Sequence, residues 1–528
     1  MSAIIHKAYV ISDLHLGGRF AAGEKDRGFR MMDRPDALAS FIRALQAKPT
    51  TPSIELIING DFLDFLAEET SEDTWKAFRD EPGEAVAAFE KLASREEDGE
   101  VFDALAGFVD AGHRLTILIG NHDIELAWPE VRAAFEARLW KSSAKKGRAF
   151  NLRWIHDGEA LVLGDALIEH GNRYDPANFV DYDRLRRVLE LRSRRLYNRE
   201  KEIFHPPVGS RLVAEVMNPV KRDYPFIDLL KPESEPLFGL LLALDPAQRS
   251  RIGELAALLS KMPKNPWVPD ADPGYRQPIA GGPAATGIAR VPIAAGDSQE
   301  PEEEDAALAE LVSRMLPGEQ VAEATHAVEQ IPREEDEITR APVASVVERA
   351  RAWWSLVRLL DSQHDSSLAS PQDFGLDKRL PLLRHAVRAL RGDETFDEGV
   401  ETGKRYLRAA QELAAVKNGA GRAKGAPVGF HFVIFGHTHH RKRVELPDES
   451  ATYVNTGTWA RLMRFPEDLI SDDDAVASKA LREFVQSIQS GTYKTDFVPT
   501  YARVDLKDDG QVEAVHLLTY DPSSQKVE

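Results

Sequence analysis

The chain contains no cysteine, which excludes disulfide bonds, thiolate nucleophiles and cysteine-type zinc sites. It also lacks any apolar run near the roughly 20 residues that a membrane span requires. Residues 1–18 read as a first strand and show no signal-peptide pattern. These absences predict a cytoplasmic protein without a transmembrane segment.

Basic residues are outnumbered, because 67 Lys and Arg stand against 86 Asp and Glu, for a net charge of −19 at pH 7. Affinity for nucleic acid comes mainly from basic groups that meet phosphates, so this balance disfavours a general nucleic-acid binder. Residues 184–222 are locally basic, with eleven Lys or Arg and four Asp or Glu. This segment is either a solvated helix face or a basic wall beside an anionic substrate.

The length of 528 residues exceeds what one hydrophobic core usually supports, so at least two structural units are expected. Apolar strand-like runs alternate with amphipathic segments in residues 1–175, which predicts an α/β sheet. Helical patterns dominate residues 176–426, and residues 268–305, rich in Pro, Gly and Ala, read as a flexible linker. Strand patterns return in residues 427–528. We therefore predict an α/β domain formed by two parts of the chain and interrupted by a large helical insertion.

Local patterns add detail to this division. Residues 159–171 predict a hairpin that turns at Gly164 and Asp165, and residues 500–520 predict another around Asp509 and Gly510. Residues 345–360 carry apolar side chains at helical spacing within the predicted insertion.

Polar side chains follow five of the apolar runs, at the points where the predicted strands end. In open α/β sheets the ligand site lies at the carboxyl ends of strands, so these side chains are expected to share one edge. Residues two apart in an extended chain point the same way, so Asp13 with His15, and His437 with His439, can each face one ion. Carboxylate oxygens with imidazole nitrogens suit manganese, iron, zinc, nickel or cobalt.

The ordered motifs DLH, GDFLD, GNHD, HG and GHTH resemble those of the calcineurin-like metallophosphoesterases, over roughly residues 1–175 and 427–470. The resemblance implies a two-layer β-sandwich flanked by helices, and two divalent metal ions. The implied ligands of one ion are Asp13, His15, Asp61 and His439. The implied ligands of the other are Asp61, Asn121, His170 and His437, so that Asp61 bridges the pair. His122 would be the catalytic histidine, oriented by Asp64.

The implied activity is hydrolysis of a phosphodiester or pyrophosphate by metal-activated hydroxide, in a small molecule or nucleotide conjugate. Manganese is the expected metal, with iron, zinc, nickel and cobalt as alternatives. Asn172 and Arg173 follow a predicted ligand and are expected to bind substrate, although Arg173 also suits a structural ion pair. Two other functions stay open, namely a nuclease and a non-catalytic scaffold that uses the same fold.

The insertion begins after the HG motif and ends before the GHTH motif, so it is well placed to cap the site. Bacterial UDP-2,3-diacylglucosamine hydrolases, which this sequence distantly resembles, carry a smaller helical cap at the same point. The sequence differs from them in the size of its insertion and in His122, where those enzymes carry arginine.

Overall fold

The structure is a computed structural model. The residues that it describes are 5–18, 30–49, 53–70, 74–144, 150–175, 177–221, 229, 397–401, 404–415, 429–446, 451–463, 466–471 and 473–528. The predicted linker at 268–305 and the predicted helix at 345–360 lie outside these residues.

A six-stranded mixed sheet forms the first layer, in the order β13-β12-β1-β2-β3-β4. Its strands are β1 (Ile5–Ile11), β2 (Ser53–Asn59), β3 (Arg114–Leu118), β4 (Leu152–Ile155), β12 (Thr500–Leu506) and β13 (Val512–Thr519). The first four strands run parallel to one another, whereas β12 is antiparallel to both β1 and β13. The carboxyl ends of β1, β2 and β3 therefore meet at one edge.

A five-stranded sheet forms the second layer, in the order β5-β6-β7-β9-β8. Its strands are β5 (Leu161–Leu163), β6 (Ala166–Ile168), β7 (Phe432–Phe435), β8 (Arg441–Glu445) and β9 (Thr452–Thr456). The strands β6, β7 and β9 are parallel, although β6 and β7 come from distant parts of the chain. A separate antiparallel pair joins β10 (Leu462–Met463) to β11 (Thr495–Asp496).

Alternation along the strands divides the apolar core between the two faces of each sheet. In β1, Ala8 and Val10 join the core between the sheets, which also contains Ile434 and Val454 of the second sheet. The intervening Tyr9, like Ile11, faces the opposite way and packs in a core shared with helices. Because successive side chains of a strand point to opposite faces, this pattern is that of a two-layer sandwich. The predicted fold class is confirmed.

Helices cover the outer face of each sheet. Those of the first 221 residues are α1 (Pro35–Gln46), α2 (Pro82–Ala93), α3 (Glu96–Asp110), α4 (Pro129–Ser142), α5 (Tyr182–Ser193), α6 (Val208–Leu212) and α7 (Asn218–Lys221). In α8 (Lys404–Ala415), Ala409 and Ala410 pack against Val433 and Phe435 on the outer face of the second sheet. None of the helices in the described part of the chain has the length and apolarity needed to cross a bilayer.

The chain divides into two compact units. The first contains residues 1–231, 393–464 and 494–528, and the second contains residues 232–392 and 465–493. The described part of the second unit includes α9 (Asp474–Ser490), capped by Asp473, whose side chain accepts a hydrogen bond from the backbone N–H of Ala475. Residues 176–231 thus fall in the same unit as the sandwich. The division into a domain and an insertion from 176 to 426 stays a prediction, since most of that segment is not described.

Both predicted hairpins are present, as β5–β6 and β12–β13. The sequence patterns missed β4 and β8, which form the edges of their sheets. The sequence of β8 is RKRVE, in which charged side chains hide the strand pattern. Charged edge strands are common because charge discourages pairing with another molecule, so such strands evade patterns based on apolar residues.

Candidate metal centre

Five loops converge where strands of the two sheets end. These loops follow β1, β2, β3, β6 and β7, and they carry all of the predicted metal ligands. The ligands are Asp13 and His15 after β1, Asp61 after β2, Asn121 after β3, His170 after β6, and His437 and His439 after β7. Six of these side chains are buried, and His437 is nearly so, with a side-chain exposure of 8%. The structure thus brings together residues that lie more than 400 positions apart in the chain.

Asp13, His15 and His439 form one set of facing ligand atoms, here called the first group. The Nε2 atoms of His15 and His439 are 3.2 Å apart, and His439 Nε2 is 3.4 Å from Asp13 Oδ1. Asp61 Oδ2 lies 3.9 Å from His15 Nε2. Nitrogen ligands at about 2.0–2.1 Å from one ion stand about 2.9–3.4 Å apart, depending on the angle between them. The spacing within the first group fits a common cation.

Asp61, His170 and His437, together with Asn121, are here called the second group. The ligand atoms of its three ionisable members face one another, and His170 Nε2 is 3.1 Å from Asp61 Oδ2. On the other side of its ring, His170 Nδ1 donates to the carbonyl of Asn59 at 2.9 Å. That hydrogen bond fixes the tautomer, because it leaves the lone pair on Nε2, which faces Asp61.

Asn121 supplies an observation that points to a missing partner. Its side chain is 2% exposed, and its Oδ1 accepts no hydrogen bond from any residue that the structure describes. A buried polar atom without a partner costs about 1–3 kcal/mol, so such atoms are rare unless an ion or water satisfies them. The amide oxygen of Asn121 therefore fits the role of a cation ligand.

The backbone of the ligand loops adopts a conformation that the sequence patterns did not indicate. Five predicted ligands have positive φ angles between 47° and 69°, and the only other non-glycine residues of this kind among those described are Arg195 and Gln525. The five ligands are Asp13, His15, Asp61, His437 and His439. The left-handed region costs about 1–3 kcal/mol per residue and is concentrated at functional sites. The expectation of an extended chain was wrong, because β1 and β7 end before these ligands.

Glycines beside the site leave room for ligand side chains. A Cβ atom at Gly120 would lie 2.1 Å from Asp61 Oδ1, and one at Gly60 would lie 2.4 Å from the His170 ring. A Cβ at Gly436 would lie 2.6 Å from Asp13 Oδ2. Contacts this short do not occur in real structures, so these positions exclude any side chain. The closeness of these positions to the ligands therefore explains why they are glycine.

Charges at the centre compensate one another. Burial alone raises the pKa of Asp61, but the charges of His170 and His122 outweigh it and lower this pKa well below the ordinary value. Burial lowers the pKa of His170, but the carboxylate of Asp61 reverses the effect and raises it to about 10. A proton and a metal ion compete for the same imidazole lone pair. A cation bound by His170 would therefore displace the proton and balance the negative charge of Asp61 in its place.

His122 stands beside the two groups, and its ring forms a third set of facing ligand atoms with His15 and Asp61. Its Nδ1 is 3.1 Å from Asp64 Oδ1, and its backbone N–H donates to Asp61 Oδ1 at 2.8 Å. Burial raises the pKa of Asp64, but the charge and hydrogen bond of His122 lower it far below the ordinary value. Asp64 Oδ2 also lies 3.7 Å from His15 Nδ1, so one carboxylate faces two imidazoles. The predicted pairing of Asp64 with His122 is present in the geometry.

Asp123 holds the loop after β3 in place. It accepts hydrogen bonds from the backbone N–H groups of Gly120, at 2.6 Å, and Phe62, at 2.8 Å. Burial and the nearby charge of Asp61 raise the pKa of Asp123 to about 7. Asp123 thus ties the loop that carries Asn121 and His122 to the loop that carries Asp61.

The predicted substrate-binding residues have structural contacts. Arg173 donates to the carbonyl of Gly158 and lies 3.7 Å from Glu169, as an ion pair would place it. Asn172 is 4% exposed and donates to the carbonyl of Asn178 at 3.1 Å. These contacts favour the structural alternative for Arg173, and a role for either residue in substrate binding stays a prediction.

The basic segment 184–222 has its charges largely paired. Arg184 pairs with Glu202, Arg199 with Asp80, and Arg211 with Glu215. Other pairs within α5 link its arginines to acidic residues three or four positions away. These pairs support the interpretation of the described part of this segment, residues 184–221, as a solvated helical surface.

The sequence analysis overlooked two residues of the site, Asp175 and Asn178. Asp175 Oδ2 is 3.1 Å from His437 Nε2, and Asn178 Nδ2 donates to the same oxygen at 2.7 Å. Burial opposes the change, but the hydrogen bond and charge of His437 lower the pKa of Asp175 to about 2. The signal was present in the sequence, since Asp175 lies only five positions after His170 in a loop that follows a predicted ligand.

Comparison with known proteins gives one finding. Residues 6–229 match the family model described as calcineurin-like phosphoesterase. Searches of curated proteins and of solved structures found no significant match. The matched residues carry the ligands that follow β1, β2, β3 and β6, whereas His437 and His439 lie outside the match.

Proposed function

Because residues 6–229 match the calcineurin-like phosphoesterase family, we propose that the protein is a two-metal hydrolase of phosphodiester or pyrophosphate bonds in a small molecule or nucleotide conjugate. The match itself supports a metal-dependent phosphoester hydrolase in general. The number of cations, the manganese preference and the type of bond are the parts that belong to the proposal. The observation that carries it is the presence of a ligand group on each side of Asp61, whose Oδ2 lies 3.9 Å from His15 Nε2 and 3.1 Å from His170 Nε2.

The two groups would hold one cation each. Asp13, His15 and His439 would hold the first, and Asn121, His170 and His437 would hold the second, with Asp61 between them. The chemistry that such a pair supplies is polarisation of the phosphoryl group and a bound water of lowered pKa. Manganese suits the mixture of carboxylate, amide and imidazole ligands, as do iron, zinc, nickel and cobalt.

His122 would act as the general acid. Its Nδ1 is engaged by Asp64, so Nε2 is the atom that would give a proton to the departing alkoxide. Asp64 stays ionised because its pKa is strongly lowered, and its negative charge favours the protonated imidazole. With a side-chain exposure of 16%, His122 remains accessible to a substrate that enters from solvent.

The test is hydrolysis of 3′,5′-cyclic AMP, a phosphodiester whose leaving group is an alkoxide, by the full-length protein supplied with Mn²⁺, compared with His122→Ala. General acid catalysis contributes about 10²–10⁴-fold, so kcat should fall by that factor. The matched control is His516→Ala, which removes a histidine from β13 whose side chain is 44% exposed. If the His122 variant hydrolyses the substrate as fast as the parent, the assigned mechanism fails.

A panel of substrates would separate the proposal from its alternatives. Cyclic nucleotides, nucleoside diphosphate conjugates, phosphomonoesters and oligonucleotides would each be supplied with Mn²⁺. Rapid degradation of oligonucleotides that weakens steeply with salt would favour a nuclease. Absence of turnover on the whole panel, by protein that binds its cations, would favour a scaffold.

A further inference from the structure

The loop that contains Asp175 and Asn178 links two ligands of the second group, Asn121 and His437. These two ligands follow different strands, β3 and β7. Asn178 is the centre of this connection. Its Nδ2 donates to Asp175 Oδ2 at 2.7 Å, and its Oδ1 accepts from Asn121 Nδ2 at 3.4 Å. Asp175 in turn accepts from His437 Nε2 at 3.1 Å. A chain of hydrogen bonds therefore runs from Asn121 to His437 through two residues that are not themselves in either ligand group.

Each contact determines which atom of a ligand is left for a cation. His437 uses Nε2 for Asp175, so Nδ1 is the nitrogen that remains available. Asn121 uses Nδ2 for Asn178, so its Oδ1 is turned elsewhere, and it has no hydrogen-bond partner among the described residues. Carboxylates and carbonyls that bind the distal atom of a ligand fix its orientation, and a carboxylate also makes an imidazole more basic.

The connection through Asp175 and Asn178 is itself supported by contacts with α6. The backbone N–H of Gly209, in α6, donates to the carbonyl of Ala177 at 2.7 Å. A Cβ atom at Gly209 would lie 2.2 Å from Asn178 Oδ1, so glycine is required for α6 to approach this closely. Ser210 donates to the backbone carbonyl of Asn121 at 3.3 Å. The start of α6 thus packs against Asn178 and the Asn121 end of the connection.

The first group has contacts of its own. The Asp13 carboxylate accepts from the backbone N–H of His437 at 2.9 Å, and His439 Nε2 lies 3.2 Å from His15 Nε2. We propose that Asp175 and Asn178 are positioning residues that orient His437 and Asn121 and thereby set the affinity for the second cation alone. This inference rests on the two-cation site of the proposed function.

The test is a Mn²⁺ titration of the full-length protein, followed by calorimetry and by electron paramagnetic resonance, with Asp175→Asn compared with the parent. Loss of a residue that orients a ligand costs about 10–100-fold in metal affinity. The second Mn²⁺ should bind more weakly by that factor, and the first should bind as in the parent. The resonance spectrum at one equivalent should stay that of a single Mn²⁺, and the signal of a coupled pair should need more metal to develop.

Two further variants keep the result interpretable. Asp181→Asn makes the same carboxylate-to-amide change in the same loop, at the residue that caps α5 through the backbone N–H of Arg184. It should bind both ions as the parent does. Asn178→Ala removes the centre of the connection and should weaken the second ion in the same way, so it decides the question if Asp175→Asn does not fold.

Two results would overturn the inference, namely unchanged binding of both ions in the variants or an equal weakening of both. A parent that binds fewer than two Mn²⁺ ions per chain would overturn it as well. The proposed function fails separately: selective loss of the second ion, in a protein that hydrolyses no phosphoester, would uphold the positioning role and reject the activity.

Discussion

The two ligand groups differ in what holds their side chains in place. The first group is held by residues that adjoin the sheets: Ser12 donates to the Asp13 carboxylate, and Thr458 donates to the Asp13 carbonyl at 2.7 Å. In the second group, His437 and Asn121 depend on Asp175 and Asn178, which lie in the loop between β6 and α5. One group is therefore built into the sandwich, and part of the other is attached to it by a loop.

Exposure differs between the residues that hold the ligands, although the ligands of both groups are largely buried. Ser12 and Thr458, which hold Asp13, are 0% and 4% exposed. The side chain of Asp175 is 22% exposed, beside that of His437 at 8%. Hydrogen bonds that water can reach are more easily exchanged for hydrogen bonds to solvent, so they orient a ligand less firmly. The difference teaches that the two cations should respond separately to substitution, with the first bound more tightly than the second.

The largest effect is expected from Gly120→Ala, which should weaken cation binding by both groups. Its Cβ would lie 2.1 Å from Asp61 Oδ1, and Asp61 stands between both groups. Both cations should bind at least about 100-fold more weakly, the upper end of the cost of losing a ligand's support. Calorimetric titration with Mn²⁺ measures this. Gly83→Ala is the control, because a Cβ there would meet nothing within 4 Å, and normal binding of the second ion by Gly120→Ala would contradict the bridging role.

Asp64→Asn should separate catalysis from metal binding. Asp64 contacts His122 and faces only one member of the first group, His15, at 3.7 Å. The neutral amide no longer favours the imidazolium of His122, so kcat should fall by about 100-fold, within the range of general acid catalysis. Binding of the second cation should stay unchanged. The measurement is kcat on 3′,5′-cyclic AMP, whose leaving group is an alkoxide, at saturating Mn²⁺, and an unchanged kcat would remove Asp64 from the mechanism.

Ser12→Ala should affect the first group alone and so mirror Asp175→Asn. The Ser12 hydroxyl donates to Asp13 and is 2.7 Å from Thr456 Oγ1 in a fully buried position. The first cation should bind about 10-fold more weakly, and the free energy of unfolding should fall by about 1–3 kcal/mol because buried partners lose a hydrogen bond. Mn²⁺ titration and thermal unfolding measure the two effects. Ser40→Ala removes one hydroxyl contact, to Tyr520, and serves as the control; a weaker second cation in Ser12→Ala would contradict the separation.

Sequence patterns predicted the α/β sheet and the convergence of the loops, because both depend on local regularities, whereas the two-layer sandwich was implied by the family resemblance. Apolar runs such as residues 54–59 identify buried strands, and parallel strands bring their carboxyl ends to one edge. The hairpin at Asp509 and Gly510 follows from turn chemistry. The carboxylate, amide and imidazole ligands likewise narrow the choice of metal, and this inference needs no knowledge of the fold.

The patterns could not predict what depends on contacts between distant segments. The left-handed backbone of Asp13, His15 and Asp61 has no local signal, because the surrounding structure imposes it. Asn178 was assigned to the insertion, since helical patterns begin near it and only its position beside Asn121 reveals its role. Gly209 lies even deeper in a segment predicted to be helical, although it approaches the site as closely as glycines in the motifs do.

Gly209→Ala should give the smallest effect, and it tests how far the second group depends on this distant segment. The added Cβ would lie 2.2 Å from Asn178 Oδ1, so the Asn178 side chain must shift, whereas α6 itself tolerates alanine. Because Asn178 can shift without losing Asp175, the second cation should bind only about 3-fold more weakly, below the range for outright loss of a partner. Gly99→Ala, in α3, is the control, since its Cβ would meet only ordinary contact with Arg138 at 3.5 Å. A first cation weakened as much as the second would show that α6 supports the whole centre, and the contrast between the two groups would then be wrong.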